Sequence, residues 1–252
     1  MYVKFIAVAL SMSVAPPPTV FRVFHTDKLT PRVRELHERS ANLSGIPLSR
    51  HKLVVFNTPF ADESLRRCNA THMHRSLLAP AYQADLMRYC LLYLYGGIYL
   101  DLMTTLTQPS SHLFTHDLAT VHDILPQHMW NAVIAGRQGH PAFLLAIKMI
   151  RQNILYCRKT PSDLSVTGPR LWYYASIKHN PVVLGKLEGC PDDYEGCAKV
   201  PGLLLNKMPG YASEFASMGY TPQKKYGAMW SRGIIYAPNS CKIIEFSDMF
   251  WL

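Results

Sequence analysis

From Thr19 to Phe24 (TVFRVF) apolar and polar positions alternate and β-branched and aromatic residues dominate, which predicts a first strand. The period then changes. Over Pro31 to Asn42, continuing to Leu43, the positions Val33, Leu36 and Leu43 fall at helical spacing with charges between them. Lys52–Phe56 (KLVVF) predicts a second strand, and the polar residues 57–80 hold no sustained period and are expected to be irregular. Ala81–Tyr95 (AYQADLMRYCLLYLY) is the strongest helical pattern. Gly96-Gly97 ends it, since a glycine just past a helix accepts the left-handed conformation that closes the last turn. IYLDL, residues 98–102, resumes as a strand, and 104–130 reads as a long polar connection. Trp130–Gly136 (WNAVIAG) predicts a strand, and Pro141–Tyr156 a helix with proline in its first turn. Thr167-Gly168-Pro169 predicts a tight turn before the aromatic run Leu171–Tyr174. Further on, Gly and Pro become frequent and Gly233–Tyr236 (GIIY) reads as a short strand. Strands alternating with helices predict an α/β fold with a largely parallel sheet.

The chain has 252 residues, 48% hydrophobic and 17% charged, enough for a sizeable core and unlike a disordered protein. No repeat or linker divides it. Residues 19–252 read as one domain with a loop-rich C-terminal part. Residues 1–18 read as a signal or anchor remnant, or equally as an N-terminal extension, because Lys4 precedes a short apolar run. The net charge of +9 favours anionic ligands. Zinc-finger spacing and RNP-type aromatic motifs are absent, so nucleic acid is not an expected partner and a diphosphate ligand is the sharper reading. Six cysteines are present. Cys190 and Cys197 bracket PDDYEG, which suits a small disulfide loop, while six reduced thiols are the alternative. Asn42-Leu43-Ser44 and Asn69-Ala70-Thr71 are glycosylation sequons. These features fit the secretory pathway or Golgi, in the lumen or at a membrane, without fixing a location.

The chemistry gathers around YLYGGIYLDLMTT, residues 93–105. Asp85 and Arg88 lie three apart and share one face of an otherwise apolar helix. The glycine turn and short strand return the chain so that Asp101 ends that strand. Ligands of open α/β sheets bind outside the carboxyl ends of strands, so an acid and an ion pair converge on one polar cleft.

Ala81, Ala84-Asp85-Leu86, Arg88-Tyr89, Leu92-Tyr93 and Tyr95-Gly96-Gly97-Ile98-Tyr99-Leu100-Asp101 together closely resemble the sugar-nucleotide-binding core of glycosyltransferase family 32. This group of Asp-x-Asp sugar transferases includes fungal α-1,6-mannosyltransferases and α-1,4-galactosyltransferases of glycolipid synthesis, and is related to glucosylating bacterial toxins. Val20–His25, Asn131–Pro141 and Thr167-Gly168-Pro169 carry weaker echoes of it. The resemblance implies a GT-A-type, Rossmann-like fold and a retaining hexosyltransferase. The donor would be a UDP- or GDP-sugar, and the acceptor a glycan, glycolipid or protein. It implies that Asp85 and Arg88 hold donor-sugar hydroxyls and that Asp101 faces the ribose and sugar. Phe24, His25 and Thr26 would lie near the base or ribose, and Asn131 beside the donor.

The departure is Met103, where the family places its second Asp, a ligand for Mn²⁺ or Mg²⁺. A thioether is a poor partner for a hard cation, so the usual metal role has no residue there. Lys224, Lys225 and Arg232 are the candidates to neutralise the diphosphate instead, with Trp230 donating its indole N–H to it. Two rivals remain. One is an inactive relative that binds nucleotide-sugar or glycan. The other is a metallohydrolase built on His72, His74, His112, His116, His122 and His128 with Asp117 and Asp123, whose spacing fits no familiar ligand pattern.

Overall fold

The computed structural model describes residues 19–24, 31–101, 104, 115–189, 197–200, 203–206, 226–238 and 240–241. β1 (Val20–Phe24) pairs in parallel with β2 (His51–Val55) on one side and β3 (Gly97–Leu100) on the other. α1 (Pro31–Ser44) is the crossover between β1 and β2. β3 pairs antiparallel with β5 (Met129–Gly136), β5 antiparallel with β4 (Leu118–His122), and β4 parallel with β6 (Val182–Lys186). The six-stranded order is β2-β1-β3-β5-β4-β6. The α/β class is as expected, but the sheet is mixed: β5 runs against both its neighbours. β7 (Glu188–Gly189), β8 (Cys197–Val200) and β9 (Leu203–Asn206) form a separate antiparallel sheet.

Two expectations from polarity fail for one reason. Residues 57–80 contain α2 (Pro59–Arg67) and α3 (Thr71–Ser76), and the 104–130 connection contains β4. Short or polar residues such as Ala61, Ser64, Ser76 and Thr120 share their buried faces with Leu65, Met73, Leu118 and Val121, which thins the apolar period. The start signal of α2 is nonetheless present: Pro59 occupies its first turn and Thr58 Oγ1 accepts from Ala61 N–H. Gly233–Tyr236 is not a strand. Among the described residues it contributes one bridge, Leu77 to Tyr236.

α4 (Pro80–Tyr95) has ten buried residues among its sixteen. A helix apolar nearly all round belongs inside, and it packs between α2, α5 (Pro141–Leu155) and the sheet. Its C-terminus shows why both glycines matter. Gly96 has φ +63, and a Cβ there would stand 2.5 Å from Gln138 N. Gly97 has φ +100, and a Cβ would collide with the Thr19 carbonyl that Ile98 N–H bonds at 2.8 Å. α6 (Pro169–Ser176) adds Trp172, stacked at 5.4 Å on Tyr89 and 5.6 Å on Phe143, its Nε1–H donated to Thr120 Oγ1 at 2.9 Å.

Cys157, just past α5, is bonded to Cys241, with Cα atoms 5.4 Å apart. The expected Cys190–Cys197 loop lies outside the described side chains. The observed bond secures the segment carrying α7 (Tyr226–Ser231), which is also held by Leu78 N–H to Ile235 O and Ala237 N–H to Ser76 O. Among the described residues no helix is long and apolar enough to cross a membrane.

Two stability predictions arise. Reduction of Cys157–Cys241 releases a constraint across 84 residues and is expected to cost about 2–4 kcal/mol. A urea midpoint unchanged by reductant would contradict it. His37, His51 and His74 are each lowered to about 4, first by burial; nearby Arg22 adds to this for the first two, while for the third Asp62 pulls back upward and Arg75 opposes it more weakly. Between about 6.5 and about 4 the unfolded chain therefore binds more protons than the folded one, so stability falls as pH drops through that window. Urea midpoints measured from pH 7 to 4 check the sign, and His74→Gln is expected to flatten the slope.

Candidate active site

Arg88 is fixed first by its helix. It sits one turn after Asp85 on the face of α4 that looks across the end of β3 toward β5. Its Nη2 contacts Asp85 Oδ1 at 2.7 Å, its Nη1 lies 3.4 Å from Asp101 Oδ1, and Nη1 also donates to the Asn131 carbonyl. The Tyr99 ring lies 4.4 Å from the guanidinium carbon. Burial alone would make Arg88 a weaker base, but Tyr99, Asp85 and Asp101 outweigh it and hold its pKa above the usual arginine value.

Asp85 is also buried, and its remaining lone pairs are used. Asn131 Nδ2 donates to Oδ1 at 2.9 Å, and Thr167 Oγ1 donates to Oδ2 at 2.6 Å. Burial raises its carboxyl above the ordinary range, against the pull of Arg88, Thr167 and Asn131. Asp101 differs: its side chain is 37% exposed, so it is the open carboxylate of the three groups. Tyr99 O–H donates to its Oδ1 at 2.6 Å, and its backbone N–H bonds Ala132 O at 2.8 Å. From behind, Arg22 Nη1 donates to both the Asp101 and Thr104 carbonyls at 2.8 Å. β1 thus pins the strand end that carries the motif.

These groups line a cleft of about 380 Å³. Asp85, Arg88, Asp101 and Asn131 form its polar floor. Trp130, Ile124 and Leu125 form one wall, and Tyr82, Asp163 and Tyr226 the other. Sequence reasoning brought Asp85, Arg88, Asp101 and Asn131 to one place, and they are together. It missed Tyr99 and Thr167 as partners of the carboxylates. The Thr167-Gly168-Pro169 turn was visible, but its job was not: Gly168 passes so close that a Cβ would stand 3.4 Å from Asp85 Oδ2.

Other expected site residues stand elsewhere. Phe24 is buried in β1, 1% exposed, and does not line the cleft. The Trp230 indole N–H is donated to Thr160 O at 3.2 Å, so here it serves the protein backbone rather than a diphosphate. The cause is α7, which lays Trp230 over the 158–160 turn beneath Lys159, 5.4 Å from its ring. Arg232 Nε donates to Ala228 O at 3.2 Å at the end of the same helix, away from the cleft lining. His25, Thr26, Met103, Lys224 and Lys225 lie outside the described residues, as does His112. Among the described residues no three His, Cys, Asp or Glu side chains stand close enough to hold a metal, so the rival histidine site is not assembled there. The donor set for the usual divalent cation does not fit well either. Asp101 already receives Tyr99 and Arg88 on Oδ1, and the next motif position is a thioether.

Comparison with known proteins places this geometry. Residues 26–120 match the family described as "Glycosyltransferase sugar-binding region containing DXD motif". That span is less than half of the chain, and it contains Asp85, Arg88 and Asp101. A solved structure titled "PaToxG Glycosyltransferase" is 15% identical, with 65% of this chain and 71% of that one covered, at a TM-score of 0.43. No curated protein matches the chain.

Removing Arg88 strands the buried Asp85 carboxylate. Arg88→Met is expected to destabilise the fold by about 3–5 kcal/mol in urea denaturation. A loss below about 1 kcal/mol would mean that the pair is not the buried structural charge pair described here.

Proposed function

We propose that the chain is a retaining glycosyltransferase that moves a hexose from a UDP- or GDP-sugar to a glycan, glycolipid or protein acceptor without a metal ion. The supporting observation is that Asp85, Arg88 and Asp101 converge on one cleft inside the stretch similar to glycosyltransferase sugar-binding regions. Asp101, the exposed carboxylate, accepts hydrogen bonds from sugar or ribose hydroxyls. Arg88 holds the two carboxylates in place. Asp85 is saturated by protein donors, so its main work in this reading is to orient Arg88 and Asn131.

Retention is what the family resemblance implies, and a front-face course delivers it without a protein nucleophile. The bond from the anomeric carbon to the diphosphate breaks. The acceptor oxygen bonds that carbon on the same face. Its proton passes to the departing phosphate oxygen. Lys224 and Lys225 balance the leaving charge in place of a metal. The Cys157–Cys241 bond and the exposed sequon at Asn69 support a secretory or Golgi setting, with residues 19–252 acting as one domain. A second reading, a relative that binds but does not turn over, is favoured by Met103.

The test uses purified protein with a panel of UDP- and GDP-sugars, in Mn²⁺ and separately in EDTA, beside Asp101→Ala. Release of UDP or GDP in EDTA, lost in the variant, is the expected outcome. Release only with Mn²⁺ overturns metal independence. Tight binding with no release across an acceptor panel supports the second reading, and no binding at all refutes both.

A further inference from the structure

Tyr82 is the anomaly of the cleft. It is 1% exposed and lines the wall opposite Trp130, yet its hydroxyl has no hydrogen-bond partner among the described residues. A buried phenol usually finds one, since leaving the group unpaired costs stability. Burial first, then Asp163 and Asp85, push its pKa well above the tyrosine norm, so the hydroxyl keeps its proton and can donate. Beside it stands Asp163. Its Oδ1 accepts from Leu164 N–H at 2.9 Å. Its Oδ2 lies where a Cβ on Gly227 would come within 2.8 Å, so the glycine of α7 makes room for the carboxylate. Tyr226, its ring centroid 5.9 Å from that of Tyr82, completes the wall.

This wall has the phenol hydroxyls of Tyr82 and Tyr226 as neutral donors, the Asp163 carboxylate as acceptor, and flat aromatic surface. Its acid suits a neutral polyol and repels phosphate. Arg88, the only Lys or Arg among the described residues that line the cleft, is committed to Asp85 and Asp101. We propose that Tyr82 and Asp163 form a second sugar-binding pole, the Tyr82 hydroxyl donating to one hydroxyl oxygen of the donor hexose and the Asp163 carboxylate accepting from another. This rests on the glycosyltransferase reading above and makes the two residues determinants of which sugar is used.

Calorimetric titration of the full chain with UDP, GDP, UDP-glucose, UDP-galactose, UDP-N-acetylglucosamine and GDP-mannose tests it, comparing wild type with Tyr82→Phe and Asp163→Asn. Tyr82→Phe removes only the oxygen. It is expected to weaken the preferred nucleotide-sugar by about two- to tenfold, leaving the bare nucleotide unchanged. Its unliganded Tm is expected to stay level or rise, since an unpaired buried hydroxyl has gone. A purely structural tyrosine would lower Tm and leave the sugar preference intact, and that result overturns the proposal. So does equal weakening of nucleotide and nucleotide-sugar. If wild type binds the nucleotide-sugars and neither variant alters the preference among them, the second pole falls while the glycosyltransferase reading stands. If wild type binds none of the six ligands, the reading of the cleft itself falls.

Discussion

A buried cation, Arg88, is what the architecture is arranged to satisfy. A guanidinium out of water is costly unless its charge is matched and its N–H groups are used. Here the matching groups, which meet both terminal nitrogens while Nε finds no partner among the described residues, come from three elements: Asp85 from the same helix, Asp101 from the end of β3, and the Asn131 carbonyl from β5. Each must arrive at a fixed place. Helix, strand and antiparallel neighbour are thereby registered against one another by a single side chain. Lysine, a point charge on a flexible stem, could not span the same set.

The requirement propagates outward. Asp85 can serve Arg88 because Thr167 and Asn131 also donate to it, and Thr167 reaches it from the turn that starts α6. That turn is held from the core by Tyr89, whose hydroxyl donates to Thr167 O at 3.1 Å. Asp101 reaches Arg88 because Gly96 and Gly97 reverse the chain directly under Thr19, a path a side chain would block. Arg22 then anchors the strand end from the far side. The site rests on layers of hydrogen bonds that leave one carboxylate, Asp101, substantially open.

That asymmetry separates structure from chemistry among residues of similar type. Asp85 and Asp101 are both near Arg88, yet one is saturated and the other half-open. The cleft above them is polar on its floor and aromatic on its walls, the combination a sugar with hydroxyl edges and apolar faces can use.

The sequence by itself determined the strongly patterned elements and the convergence at the site. α4, β3, β5 and α5 were legible because their apolar periods are long, and the glycine turn was legible because only glycine tolerates that path. Asp85, Arg88 and Asp101 could be brought together because helix periodicity and one tight turn fix their relative positions locally. Only the tertiary structure decided the rest. The reversed direction of β5 depends on which neighbours its two edges meet, which no local period records. α2, α3 and β4 escaped because short or polar residues form much of their buried faces. The partnership of Thr167 with Asp85 spans 82 residues, and the Cys157–Cys241 bond spans 84, so neither leaves a local trace. Trp230 shows the same limit from the other side. Its residue type permits a bond to phosphate or to a backbone carbonyl, and the packing of α7 over Thr160 selects the carbonyl.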